Sequence, residues 1–199
     1  MSMRRVIVTV WCVLILAGSV FATEKPWHEG RTTRAAFAAR GTVTLHLGSG
    51  DATVVSNPDA KEIVITTETK SEDKLNDIKA DLKVTGSEAE VRVSGPKYFR
   101  YHIELPTASH FKIRMSAGDL KIRGVDGDFD LELHAGDCTI ELGSGGENFG
   151  PVDLSVGAGD LTAGPFAASK SGLFRHFKNT RVSKYRFHAH VGAGDLTVK

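Results

Sequence analysis

The sequence predicts an all-β, single-domain β-solenoid, and three observations carry that prediction. The first is a phrase used five times: a small residue, Gly, Asp, then usually apolar-polar-apolar. It runs Ser49-Gly50-Asp51-Ala52-Thr53-Val54, Ala117-Gly118-Asp119-Leu120-Lys121-Ile122 and Ala135-Gly136-Asp137-Cys138-Thr139-Ile140. It returns as Ala158-Gly159-Asp160-Leu161-Thr162 and closes the chain as Ala193-Gly194-Asp195-Leu196-Thr197-Val198. The second is the alternation beside each copy, so that each reads as strand, Gly corner, strand. The third is spacing: Asp119 to Asp137 is 18 residues and Asp137 to Asp160 is 23. A period near 20 with one corner per turn marks a repeat architecture, whose units have one apolar face and bury it only by stacking.

Each element follows from local pattern. Thr42 to Leu47 alternates with Val43, Leu45 and Leu47 on one face, and Ala52 and Val54 resume that face after the corner. Asn57-Pro58-Asp59 is a turn, because Pro fixes φ and the Asx side chains bond locally. Glu62 to Thr67 is a β-branched strand. Ser71 to Ala80 has helical character in Leu75, Ile78 and Leu82, which predicts a single turn or short helix. Glu90 to Ser94, then Phe99 to Leu105 ended by Pro106, are strands. Phe111, Ile113 and Met115 face in against His110, Lys112 and Arg114; Phe129, Leu131 and Leu133 repeat the pattern. Val152 to Val156 is a strand, and Tyr185, Phe187, Ala189 and Val191 lead into the last copy. An immunoglobulin-like sandwich is the fold alternative, and the Gly-Asp period argues against it.

At the N-terminus Arg4 and Arg5 precede an apolar run from Val6 to Leu16, and Val20-Phe21-Ala22 places small residues where a signal peptidase reads. Residues 1–22 are therefore expected to be a secretory signal peptide, and the run is short for a transmembrane helix. Residues 23–40 read as a polar leader or linker, and 41–199 as the repeat domain. Without residues 1–22 the chain carries 23 Lys and Arg against 24 Asp and Glu, a net charge of −1, which gives no argument for nucleic acid. Cys12 leaves with the signal, so Cys138 is the one remaining thiol. It occupies the place of Leu120 and Leu161 in their copies and is expected to be a buried small hydrophobe.

The run from Phe99 to Leu142 resembles the bacterial extracytoplasmic, adhesin-like β-strand-repeat domains, a family without an assigned function. The residues that carry the likeness are Leu105-Pro106, Gly118-Asp119, Gly124-Val125-Asp126-Gly127 and Gly136-Asp137. It extends over roughly residues 41–199. The resemblance implies stacked β-strands outside the cytoplasm, a non-enzymatic structural or interaction role, no cofactor and no catalytic residues. The chain departs from the family pattern at 166–186.

Several groups are candidates for chemistry. Gly50, Gly118, Gly136, Gly159 and Gly194 are expected to take φ > 0 at tight corners, with Asp51, Asp119, Asp137, Asp160 and Asp195 bonding nearby backbone amides. Stacked at the strand spacing of about 4.8 Å, the same carboxylates would form a column open to Ca²⁺. The calcium β-roll has a nine-residue period with several Gly, which this chain lacks. Asp119 and Asp137 could also stand at the separation of about 5 Å that retaining glycosidases use, although any repeat produces that spacing. The alternatives to a scaffold are thus a carbohydrate-active β-helix enzyme and a calcium-stabilised structural protein. His134, His188 and His190 lie on polar strand faces, and a zinc site needs three or four ligands. Lys170, Arg175, Lys178, Arg181, Lys184 and Arg186 stand among Phe166, Leu173, Phe174 and Phe177 with no acid between them. That segment is expected to cap the end of the stack, or to contact an acidic polysaccharide or anionic surface.

Overall fold

Wherever apolar and polar residues alternate, the chain is extended. The computed structural model describes residues 26–97, 99–108 and 110–199; the expected signal segment, 1–22, lies outside them. In chain order the first strands are β1 (His28–Ala36), β2 (Thr42–Ser49), β3 (Asp51–Asn57), β4 (Glu62–Thr69), β5 (Lys79–Thr85) and β6 (Glu88–Ser94). Next come β7 (Phe99–Pro106), β8 (His110–Ala117), β9 (Leu120–Val125), β10 (Asp128–Ala135), β11 (Cys138–Leu142) and β12 (Phe149–Ala158). The last are β13 (Leu161–Ala163), β14 (Ala168–Lys170), β15 (Leu173–Asn179), β16 (Tyr185–Ala193) and β17 (Leu196–Val198). The helical stretch expected within 71–80 is a 3-10 turn, Glu72–Asp77.

The strands form two large sheets, and neither closes on itself. One has nine strands in the order β1-β4-β7-β3-β9-β11-β17-β13-β14; the other has eight, β15-β12-β16-β10-β8-β2-β6-β5. Each Gly-Asp corner carries the chain from the eight-stranded sheet to the nine-stranded one: β2 to β3, β8 to β9, β10 to β11, β12 to β13 and β16 to β17. The central strands pair in parallel, with no offset between copies. Phe111, Phe129 and Phe187 share one row of β8, β10 and β16, and Leu120, Cys138 and Leu196 share one row of β9, β11 and β17. Inward residues of both sheets form one buried core. Within it Phe129 stacks on Phe187 at 4.9 Å between ring centroids, and Phe149 meets Phe187 edge-on at 5.4 Å. Such pairs stabilise beyond the area they bury.

Copies do not stack in chain order. The last strand pair, β16 and β17, sits between the third and fourth copies, because β16 pairs with both β10 and β12. The far edge of β12 is held by antiparallel β15, so the returning chain enters the slot beside β10. A further parallel pair, β6 and β7, flanks β2 and β3 without the Gly-Asp phrase; Gly95-Pro96 begins its corner instead.

One expectation changes. Part of the expected leader, 23–40, belongs to the fold: β1 pairs antiparallel with β4, and Phe37 is buried. A register shift between Glu29 and Thr32 interrupts the alternation of β1, which hides it from periodicity. The departure from the family pattern expected at 166–186 takes the form of the antiparallel edge strands β14 and β15 and the loop after them, before Tyr185 and Arg186 begin the parallel strand β16.

The corner glycines make a sharp prediction. Gly136 has φ 125°, and a Cβ there would lie 2.2 Å from the carbonyl oxygen of Gly118. Gly136→Ala should therefore cost at least about 3 kcal/mol, since it combines a forbidden φ with a backbone clash. Gly86 has φ 60° and open space around it; Gly86→Ala should cost about 1–2 kcal/mol from the left-handed conformation alone. Urea denaturation of the two variants compares them directly.

Candidate functional site

Repetition builds two surfaces where chemistry could sit. The first is the corner column. Backbone N–H groups of Gly50, Gly118, Gly136 and Gly194 donate to the carbonyls of Ala117, Ala135, Ala193 and Ala158, at 2.8–3.0 Å. Each aspartate then adds a side-chain bond: the N–H of Asp119 donates to Oδ1 of Asp51, and that of Asp137 to Oδ1 of Asp119, both at 3.4 Å. Asp195 N–H donates to Oδ1 of Asp137 at 2.9 Å, and Asp160 N–H to Oδ1 of Asp195 at 2.8 Å. All five predicted aspartates therefore lie in one exposed column, in the order 51, 119, 137, 195, 160. Four of them accept a backbone N–H through the carboxylate. A shallow depression of about 310 Å³ runs over Asp51, Asp119 and Asp137 beside Lys121. Among the described residues, no group of three or more His, Cys, Asp and Glu is arranged to hold a metal ion.

The second surface is the outer face of the eight-stranded sheet, which register turns into straight rows. One row reads Lys83, Glu90, Thr44, Lys112, Asp130, His188, Asp153, Lys178. The next reads Asp81, Arg92, His46, Arg114, Glu132, His190, Ser155, His176. Many neighbours along and between rows are opposite in charge, although Arg92, His46 and Arg114 stand in succession. Arg114 donates to Oδ2 of Asp130 at 2.7 Å and pairs with Glu132 at 3.1 Å. His188 Nδ1 lies 3.0 Å from Asp130, and His176 Nε2 lies 2.8 Å from Asp153. His190 shares a 2.8 Å hydrogen bond with the Ser155 hydroxyl. His188 and His190 thus face the same side of β16, as alternation requires, and each is held by a different partner; His134 is exposed near the corner end of β10. Burial of Asp130 would raise its carboxyl pKa, but the hydrogen bonds and charges of Arg114 and His188 outweigh it and hold the group below its ordinary value. A depression of about 490 Å³ opens where His110, Lys112, Asp128, Asp130, Arg186 and His188 converge.

Cys138 is buried between Leu120 and Leu196, and desolvation pushes its thiol pKa far up. Its position is that of a core hydrophobe. The basic segment lies at the end of both sheets: Lys170 closes β14, Arg175 and Lys178 are on β15, and Arg181 and Lys184 are in the following loop. Arg186, on β16, pairs with Asp128 at 3.4 Å. Alternation found the faces of these rows, and the Gly-Asp phrase found the column. The pairing of Arg114 with Asp130 and Glu132, and of His190 with Ser155, depends on which strands are neighbours, and only the single-residue types were visible beforehand.

Comparison with known proteins bears on the fold. No family model matches the chain, and no curated protein matches it. The solved structure of a candidate cell adhesion protein from Clostridium sporogenes superposes with a TM-score of 0.52 at 12% identity, over 87% of this chain and 99% of that one. This likeness is one of fold. A candidate adhesin from Parabacteroides merdae aligns at TM-score 0.32 and 12% identity over 56% of each chain. A candidate lipid binding protein from Parabacteroides distasonis aligns at TM-score 0.29 and 10% identity, over 56% of this chain and 62% of that one. These two superpositions carry no argument.

The geometry yields two predictions. Asp137→Ala removes the acceptor for Asp195 N–H and should destabilise the protein by about 1–2 kcal/mol, whereas Asp137→Asn keeps an oxygen there and should cost about half as much. Both are read from denaturant midpoints, and equal losses would sink the corner role of the carboxylate. Because the folded pKa of Asp130 lies below its unfolded value, its contribution to stability is present above about pH 4 and is lost as pH falls through the folded value. Asp130→Asn should therefore show a shallower loss of melting temperature between about pH 4 and pH 2 than the unaltered protein.

Proposed function

We propose that this chain is a non-enzymatic, exported scaffold with an adhesin-like role, and that its corner-joined strand pairs make a β-solenoid presenting a flat polar face. The observation that carries the reading is the register of the eight-stranded sheet. Its outward rows run across eight strands without a break, presenting charged, imidazole and hydroxyl side chains at the strand spacing of about 4.8 Å. Such a surface offers the same lateral repeat to an extended partner at every strand. The parallel stacking of five Gly-Asp corners supports the solenoid part of the proposal. The corner carboxylates, which a β-helix enzyme would use, are engaged by backbone N–H groups, and this favours a structural role. Export rests on Arg4, Arg5 and the apolar run after them; among the described residues no helix is long and apolar enough to cross a membrane. Similarity in fold to a candidate cell adhesion protein points the same way.

Binding of the purified protein to isolated bacterial envelopes and to their soluble surface polysaccharides tests the proposal. Saturable binding is expected, weakened about tenfold by the double substitution Lys83→Glu and Lys112→Glu on the sheet face, with little change in stability. Release of reducing sugar ends, abolished by Asp119→Asn or Asp137→Asn, would instead establish a glycosidase.

A further inference from the structure

We propose that the end of the molecule formed by β15 and the loop after it is a docking surface for anionic phospholipid bilayers. Among the described residues the exposed large hydrophobic side chains are Leu173, Phe174 and Val182, at 62%, 85% and 86% exposure. All three fall within ten residues of sequence, on the terminal strand and its loop. Elsewhere large apolar side chains are drawn into the core; Leu173 and Phe174 begin β15 beside the Gly159 corner and Val182 follows its other end, so all three stand along one terminal edge.

The backbone holds these side chains out. Phe174 has φ 52°, a left-handed conformation that costs a bulky residue free energy, and its ring gains almost no intramolecular burial in return. Val182 is displayed by a fastened loop: Arg181 donates to the carbonyl of Glu147 at 3.0 Å, and the Ser183 hydroxyl donates to the same carbonyl at 2.6 Å. The two residues flanking Val182 are anchored while its own side chain points to solvent.

Charge identifies the partner. Residues 166–186 contain six Lys and Arg and no Asp or Glu, which leaves 17 cations against 24 acids in the rest of residues 23–199, a net charge of −7. Residues 166–186 are thus a cationic segment in an otherwise acidic chain, and five of the six cations lie on β14, β15 and the loop after β15. Among the described residues, Arg186 is the one of the six cations in an ion pair; Lys170 and Arg181 donate to backbone carbonyls, and Lys184 lies over the Tyr185 ring. Five of the six cations are thus outside any ion pair among the described residues, with Lys178 on the exposed side of β15 opposite Asp153. Exposed aliphatic and aromatic tips within a basic surround match an anionic lipid interface, where apolar groups enter the acyl boundary and cations meet headgroup phosphates. An acidic polysaccharide would use the cations but leaves Leu173 and Val182 without a role. A second copy would bring two such positive ends together.

Co-sedimentation with lipid vesicles decides the matter. The protein should bind vesicles of phosphatidylcholine with 30% phosphatidylglycerol (about seven to three) and bind phosphatidylcholine alone at least about tenfold more weakly, with affinity falling as salt rises. Phe174→Ser should reduce binding about tenfold, and Lys178→Glu about fivefold or more, while melting temperatures stay close to that of the parent protein because both side chains are exposed. In Phe174→Trp, indole emission should shift to the blue on adding anionic vesicles. Absence of vesicle binding, or binding indifferent to Phe174→Ser, overturns the proposal. So does salt-sensitive binding to soluble polygalacturonate with none to vesicles, which would identify a polysaccharide site. A dimer in sedimentation that Phe174→Ser dissolves would identify a contact between copies and equally overturn it. The double substitution Lys83→Glu and Lys112→Glu, which should leave vesicle binding unchanged, separates this end from the sheet face.

Discussion

At each corner of this protein, two backbones approach more closely than any side chain would allow. The carbonyl oxygen of one corner glycine lies about where the next glycine's Cβ would be, 2.1–2.2 Å from it, at Gly118, Gly136, Gly159 and Gly194. Short backbone hydrogen bonds on both sides of the corner, and a carboxylate bond through the aspartate, then fix successive strand pairs in one register. A one-residue slip anywhere would turn a core face outward, so this close contact and the buried rows enforce one another.

Everything across the sheets inherits that register. Because Phe111, Phe129 and Phe187 share a row, their rings meet in the core as a series, and because Lys112, Asp130 and His188 share the next row out, opposite charges become lateral neighbours. The ordered outer face is thus a by-product of core packing: the same periodicity that buries every second side chain lines up the others. Ion pairs on such an exposed face are individually weak. Their contribution to holding the fold is correspondingly small.

The two ends of the stack obey different rules from its middle. Parallel strands in the centre are paired on both sides, whereas the outermost strands offer unpaired backbone groups and invite association. At one end β4 and β5 run antiparallel to β7 and β6, β1 runs antiparallel to β4, and the Arg100 guanidinium lies over the Trp27 ring, 3.9 Å from its centroid. At the other, β14 and β15 do the same, but β15 leaves Phe174 in solvent within a cationic segment. One end is covered by the chain's own residues; the other combines the two features of an interfacial contact, apolar tips and positive charge.

The sequence by itself determined the strands, their inward faces and the corners. Those properties are local: alternation of Phe129, Leu131 and Leu133 with Asp130 and Glu132 dictates a two-sided strand, and a Gly-Asp pair between such strands dictates a corner. It also placed Cys138 in the core, because its position in the phrase is that of Leu120 and Leu161. It concealed β1, where a register shift broke the alternation, and, although it showed both strands, that β6 and β7 make a further stacked pair, since their corner lacks the phrase. Tertiary structure alone decided the order of stacking. Inserting β16 between β10 and β12 depends on which sheet edges are free once β15 has occupied one of them, and no local pattern encodes that competition. The same long-range choice sets which side chains meet, so the Asp130–Arg114–His188 group and the Ser155–His190 bond exist only in the assembled sheet.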